Sequence, residues 1–254
     1  MIASRPISIP WRSATSVVLL LLAWELASRL KLTPPLFLPP FSVVADQLWH
    51  SIADGSLTSD LMLSLFRAFG GLVVGAATGV ACGLVIARSR FAEWLIDPFV
   101  ALGFPAPKIA FLPIFILWFG IGSSSKILLV AFACIFPVII GTYSAARSVS
   151  QLFIWSALSL GSNRRSIFLH VILPACYPRI FTTFRIAVPV ALITTFTAEM
   201  VAGGGGMGAT LIYSQRFFES PTVFAYIVVM LCVGLVLDSA LSAFQRRFLG
   251  WADA

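Results

Sequence analysis

Charge is scarce in this sequence. Only 11% of its 254 residues are Asp, Glu, Lys or Arg, against 59% apolar, and the charges cluster in short breaks between long apolar runs. A soluble domain of this length spreads charge through its surface positions, so the composition excludes that class. Histidine is almost missing: His50 and His170 have no Ser, Cys or carboxylate at a spacing that suggests nucleophilic catalysis, and the chain is not expected to be an enzyme. The cysteines Cys82, Cys134, Cys176 and Cys232 lie tens of residues apart with no C-x-x-C pair. That pattern speaks against metal and disulfide roles and leaves them as small apolar packing groups. A phosphate-binding G-x4-G-K-[ST] is also missing, because the run GGGGMG from Gly203 to Gly208 has no lysine. No cofactor is therefore expected on this chain. The net charge of +7 is not gathered into a basic patch interleaved with aromatics, so nucleic acid is not an expected partner.

What is present is membrane-grade apolar sequence, with a mean hydropathy of +0.98. It reads as an all-α polytopic protein with one transmembrane domain over residues 1–254 and about six spans. These are placed at Ala14 to Leu30, Leu61 to Ala87, Phe104 to Gly122, Ile127 to Ala145, Phe184 to Val201 and Val223 to Phe244. Arg5 and Arg12 before the first run resemble a signal peptide, but no small-x-small cleavage site follows, so an uncleaved helix is expected. The proline-rich LTPPLFLPP from Leu32 cannot be regular helix, and a weakly amphipathic helix follows over Ser42 to Ala53. In the second span, Gly71, Gly75, Gly79 and Gly83 form a stripe at every fourth residue, which permits close approach of another helix. Phe91 to Ala101 reads as interfacial, and three prolines break the third span near Lys108.

Placing the N-terminus inside puts eleven arginines in the inner breaks and only Arg29, Lys31, Lys126 and Arg216 in the outer ones. Arg67 and Lys108 fall within spans. The bias predicts both termini in the cytoplasm. It also places there a polar interruption at about 148–180 that reads as two short helices. Gly161 suits a helix stop, Ser162 or Asn163 a cap, and Pro174 and Pro178 a second stop.

This interruption resembles the cytoplasmic motif of bacterial ABC importer permeases, E-A-A-x3-G-x9-I-x-L-P. Here WSALSLG from Trp155 to Gly161 is followed, after nine residues, by VILP from Val171 to Pro174. Trp155 and Ser156 replace the family's Glu and first Ala. LPPFSVV from Leu38, ILWFGIG from Ile116 with Lys126-Ile127, Phe136-Pro137, and AEMVAGGGGMG from Ala198 are similar to permeases of the nitrate, sulfonate and taurine type. The resemblance implies a type I importer permease working as a homodimer. It implies a cytoplasmic ATP-binding subunit that hydrolyses ATP, an external solute-binding protein, and a bacterial inner-membrane location. It further implies that Trp155, Ser156, Ala157, Gly161, Val171, Leu173 and Pro174 couple to the ATPase. An ion-driven secondary transporter is the alternative; it calls for internal halves and several intramembrane charges, and the sequence shows no obvious duplication.

Four residues are candidates for the path or gate: Lys108, Glu199, Gly206 and Gly208. Lys108 is either a snorkelling anchor or a cavity-facing charge. Glu199 is either a path residue or the partner of a base such as Arg216 or Lys108. The glycine run is either a turn beside the path and the binding-protein dock, or a plain loop.

Overall fold

The computed structural model describes residues 10–249, and the side chains of residues 15–247. Every regular element among them is helical. Pro10–Arg29 (α1), Phe41–Ala53 (α2), Ser56–Arg88 (α3) and Arg90–Gly103 (α4) are followed by a 3-10 turn at Lys108–Phe111 and by Leu112–Phe119 (α5). Then come Ser123–Arg147 (α6), Gln151–Ser159 (α7), Arg164–Ile167 (α8), a π turn at Phe168–Ile172, Leu173–Ala202 (α9), Met207–Arg216 (α10) and Ser220–Leu249 (α11).

Among the described residues, four helices are long and apolar enough to cross a membrane: α3, α6, the continuous Arg164–Ala202 rod, and α11. A fifth crossing exists only if α4 and the segment through α5 count together, and they are bent by 99°. Of the six expected spans, four or five are matched by length and apolarity among the described residues. The third fails as a single span because α5 has 8 residues, with Pro105 and Pro107 in the break before it. The first is a helix of 20 residues, α1, whose last turns carry Glu25 and Arg29, and it is not among the four.

The core is a sandwich of α3, α6 and α9, with α6 in the middle. Leu72, Val130, Cys134, Val138, Ala187, Val188 and Ala191 fill it. The glycine stripe makes this possible. A Cβ on Gly75 would lie 2.6 Å from the carbonyl oxygen of Ala131, and one on Gly79 would lie 2.8 Å from Val138 Cβ. Two helix backbones are therefore in near contact, which only glycine permits. Gly141 does the same on the other face of α6, where a Cβ would meet Thr183 Oγ1 at 2.2 Å. Cys134 and Cys176 pack in cores as expected, whereas Cys232 is exposed.

The proline-rich stretch is strapped to its neighbours. Trp24 Nε1 donates to Pro39 O at 2.9 Å, Ser28 Oγ to Leu38 O at 2.8 Å, and Ser220 Oγ to Leu36 O. Behind it α2 packs on α11 and α3, burying Val44 while leaving Val43 and Ile52 exposed. Its inward face is accordingly narrower than the sequence pattern implies.

Candidate functional site

One end of the bundle carries the α7–α8 hairpin. Ser150 Oγ accepts from Leu152 N–H at 3.3 Å to start α7. Gly161, with φ +80°, stops it. Ser162 N–H reaches back to Ala157 O (3.0 Å) and Gly161 N–H to Leu158 O (2.9 Å), the paired bonds of a Schellman stop. Asn163 Oδ1 then caps α8 by accepting from Ser166 N–H at 2.8 Å, so Asn163, not Ser162, is the cap. Trp155 (62% exposed), Leu160 (85%), Leu152 and Phe153 project outward. Ser156 is also exposed, Ala157 half-buried. Arg88 at the end of α3 lies 5.3 Å from the Phe168 ring centroid and ties the hairpin to the bundle.

The expected stop at Pro174 and Pro178 does not occur. The chain stays helical from Arg164 to Ala202, with Val171 in the π turn, Leu173 and Pro174 opening α9, and Pro178 and Pro189 inside it. Pro174 has no N–H to give to the carbonyl four residues back; the preceding turn widens to the π register and lets the rod continue. Arg179 and Arg185, counted with the polar break, belong to this rod. Arg185 lies 3.4 Å from Asp238 of α11.

At the opposite end, the last turn of α9 carries Glu199, which is fully buried, as are Ser64 and Lys126, with Arg67 2% exposed. Glu199 Oε1 accepts from Arg67 Nη1 at 2.7 Å. Its Oε2 accepts from Ser64 Oγ at 2.8 Å and from Gly208 N–H at 3.1 Å. The base that pairs with Glu199 is therefore Arg67, not Arg216 or Lys108. Lys108 instead sits at the α4–α5 bend, donating to Phe104 O and lying 5.4 Å from the Phe136 ring centroid.

The glycine run wraps around the same pair. Gly203, Gly204, Gly205 and Gly206 all have positive φ, from +65° to +96°. Arg67 donates to Gly205 O at 2.7 Å, to Gly204 O at 2.8 Å and to Ser123 Oγ at 3.1 Å. Lys126 donates to Gly203 O. It lies in the first turn of α6 and is buried, so it is not the outer-break charge the sequence suggested. Gly206 and Gly208 are glycines for lack of room: a Cβ on either would fall 2.3 Å from Glu199 Oε1 or 2.2 Å from Phe196 O, respectively. The free N–H groups that open α10 are met by Asp60 (Gly206 N–H, 3.2 Å), Ser64 (Met207 N–H, 2.9 Å) and Glu199. Two carboxylates at a helix N-terminus suit its partial positive charge. Asp60 also accepts from Thr210 Oγ1 at 2.5 Å and from Tyr226 OH at 3.0 Å, linking α3, α10 and α11. Beside the turn opens a cleft of about 440 Å³ lined by Glu199, Gly203 to Gly205, Thr210, Tyr213 and Arg216.

Sequence reasoning missed Arg67, Lys126, Ser64 and Asp60. Arg67 carried a usable signal, since an ionisable residue within an apolar run needs a buried partner. The arrangement contains a long rod from an exposed hairpin to a charged node beside a cleft.

Residues 75–250 match the family described as binding-protein-dependent transport system inner membrane component. The chain is 34% identical over 244 residues to the taurine transport system permease protein TauC of Escherichia coli (strain K12), covering 94% of this chain and 89% of the relative. It is 31% identical over 245 residues to the putative aliphatic sulfonates transport permease protein SsuC of the same strain, covering 96% and 92%. Its fold is similar to that of a chain from an amino acid ABC transporter crystallised with histidines, with a TM-score of 0.66 at 16% identity, covering 79% of this chain and 98% of that one. The comparisons lend nothing to the secondary-transport alternative. The chain belongs to the binding-protein-dependent inner-membrane components, the permease subunits of ABC importers, whose family implies an ATP-binding subunit and a solute-binding protein as partners.

Proposed function

We propose that two copies of this chain form the path of an ATP-driven importer for a small anion of the sulfonate type or a related heterocyclic compound. An external binding protein delivers the solute at the glycine-turn end. The hairpin, with Trp155, Ser156, Ala157, Gly161, Val171, Leu173 and Pro174, docks on the cytoplasmic subunit that hydrolyses ATP. Both termini then lie on the hairpin side, in keeping with the arginine bias. Lys108, Glu199, Gly206 and Gly208 serve the path through their neighbours, Glu199 and the two glycines by shaping the turn.

The observation that carries this reading is the 39-residue continuous helix from Arg164 to Ala202. It joins the hairpin to Glu199 with no break in the helix, so a displacement of the hairpin can be passed along it to the far end of the bundle. A partner that binds two hairpin positions with different affinity biases the whole rod. Trp155 supplies an aromatic anchor where the family motif has a carboxylate; an exposed ion pair there contributes only about 0–1 kcal/mol, while a desolvated Trp in a groove is a typical interface anchor. The relatives' names supply the sulfonate chemistry.

Gly161→Trp tests the coupling. No atom lies within 4 Å of a Cβ at this position, so a side chain can leave the backbone here without meeting the subunit, while the positive φ disfavours any L-residue by about 1–2 kcal/mol. Transport-coupled ATP hydrolysis by the assembled transporter should be abolished with membrane insertion unchanged. Normal coupling in this variant would refute the docking assignment, and uptake on an ion gradient with no ATPase present would refute the importer.

A further inference from the structure

We infer that Lys126 and Arg67 form a masked oxyanion subsite, whose acceptor positions are occupied in this conformation by the main-chain carbonyls of Gly203, Gly204 and Gly205. The inference rests on the proposed import of a small anion and locates where the path would hold it.

The first ground is a charge imbalance. Two buried cations, Arg67 and Lys126, share the single carboxylate of Glu199, and Asp60 is committed to Gly206, Thr210 and Tyr226. Among the described residues no carboxylate lies within ion-pair distance of Lys126, and its one acceptor is Gly203 O. An ammonium carries three donors, and burial with a single neutral acceptor is costly unless another anion joins it at some stage. The second ground is shape. Gly203 O, Gly204 O and Gly205 O present three oxygens in sequence to the two cations, the number a sulfonate offers. The third ground is access: the same three glycines wall the cleft of about 440 Å³ on which Arg216 also lies. The turn residues Gly203 to Gly206 carry no side chains of their own, and glycine moves between backbone regions more freely than any other residue. Outward rotation of the turn withdraws three carbonyls and opens both cations to the cleft.

The test uses the purified chain in lipid nanodiscs with methanesulfonate as probe and dimethyl sulfone as its uncharged counterpart. Methanesulfonate should accelerate hydrogen exchange across residues 203–208 in a saturable way, and dimethyl sulfone should not. Lys126→Met should raise the midpoint about tenfold or more, the effect of losing a charged hydrogen bond, whereas Lys126→Arg should keep most of the response. If Lys126→Met does not fold, Lys126→Gln, which keeps a donor for Gly203 O but no charge, takes its place and should raise the midpoint severalfold. No response to methanesulfonate, an equal response to dimethyl sulfone, or an unchanged midpoint in the variant that folds overturns the subsite. Uptake by the assembled transporter separates the two readings. Sulfonate uptake with no response at the turn removes the subsite alone, and a response at the turn without uptake of any sulfonate removes the substrate reading alone.

Discussion

Arg67→Met should lower the stability of the chain by about 3–5 kcal/mol, because it strands the Glu199 carboxylate in a buried site. Arg67 is 2% exposed and Glu199 0%, at 2.7 Å. The variant also removes the donor to Gly204 O and Gly205 O, so the turn loses two of its anchors. Glu199→Gln should cost a comparable amount, since an amide cannot neutralise Arg67 and its NH2 group opposes the donors that now face Oε2. The double variant should lose clearly less than the two single losses combined, because no lone charge remains from the pair. Denaturation in mixed micelles, followed by circular dichroism, provides the four corners of the cycle. Additive losses would mean that the two groups act independently, and the node described above would then be no node.

Gly75→Leu should prevent folding, whereas Gly70→Ala, five residues earlier on the same helix, should be neutral or slightly stabilising. The contrast follows from what each Cβ meets. At Gly75 the obstruction is backbone, Ala131 O at 2.6 Å, and backbone of a packed helix cannot step aside. At Gly70 the nearest atom is the flexible end of Ile127 at 3.5 Å, an ordinary contact. Overpacking a tight core by even one or two methylenes costs about 1–3 kcal/mol, and a leucine forces α3 away from α6 along the whole stripe. Gly→Ala in a helix interior gains about 0.5–1 kcal/mol where space allows. Monodispersity and thermal unfolding in detergent measure both outcomes; a well-folded Gly75→Leu would contradict the close approach of α3 and α6.

Much of the chain was legible from local pattern. The i, i+4 glycine stripe announces a close helix contact, and Gly161 as a stop with Ser162 or Asn163 as a cap is legible because both act within one turn of chain; the structure selects Asn163. The same local reasoning failed at Pro174 and Pro178. Proline removes one hydrogen bond, and the sequence does not show that a π turn absorbs the defect while the surrounding helices keep the rod intact. Lys126 was misplaced for a related reason: four residues past a Gly-x-Gly, it reads as a loop charge, yet α6 begins at Ser123 and carries it inward.

From the sequence alone came the class of the protein, its apolar helices, the hairpin and Glu199 as an intramembrane charge that either lines the path or answers a base. All of these follow from composition and from spacings within a few residues, which fix what a segment can bury. The tertiary structure decided which base answers Glu199, how the four-glycine turn is held, and that one helix runs unbroken from hairpin to turn. Arg67 and Glu199 are 132 residues apart. No local spacing specifies such a pair, because the contact exists only once α3, α6 and α9 have packed and brought two buried charges to 2.7 Å.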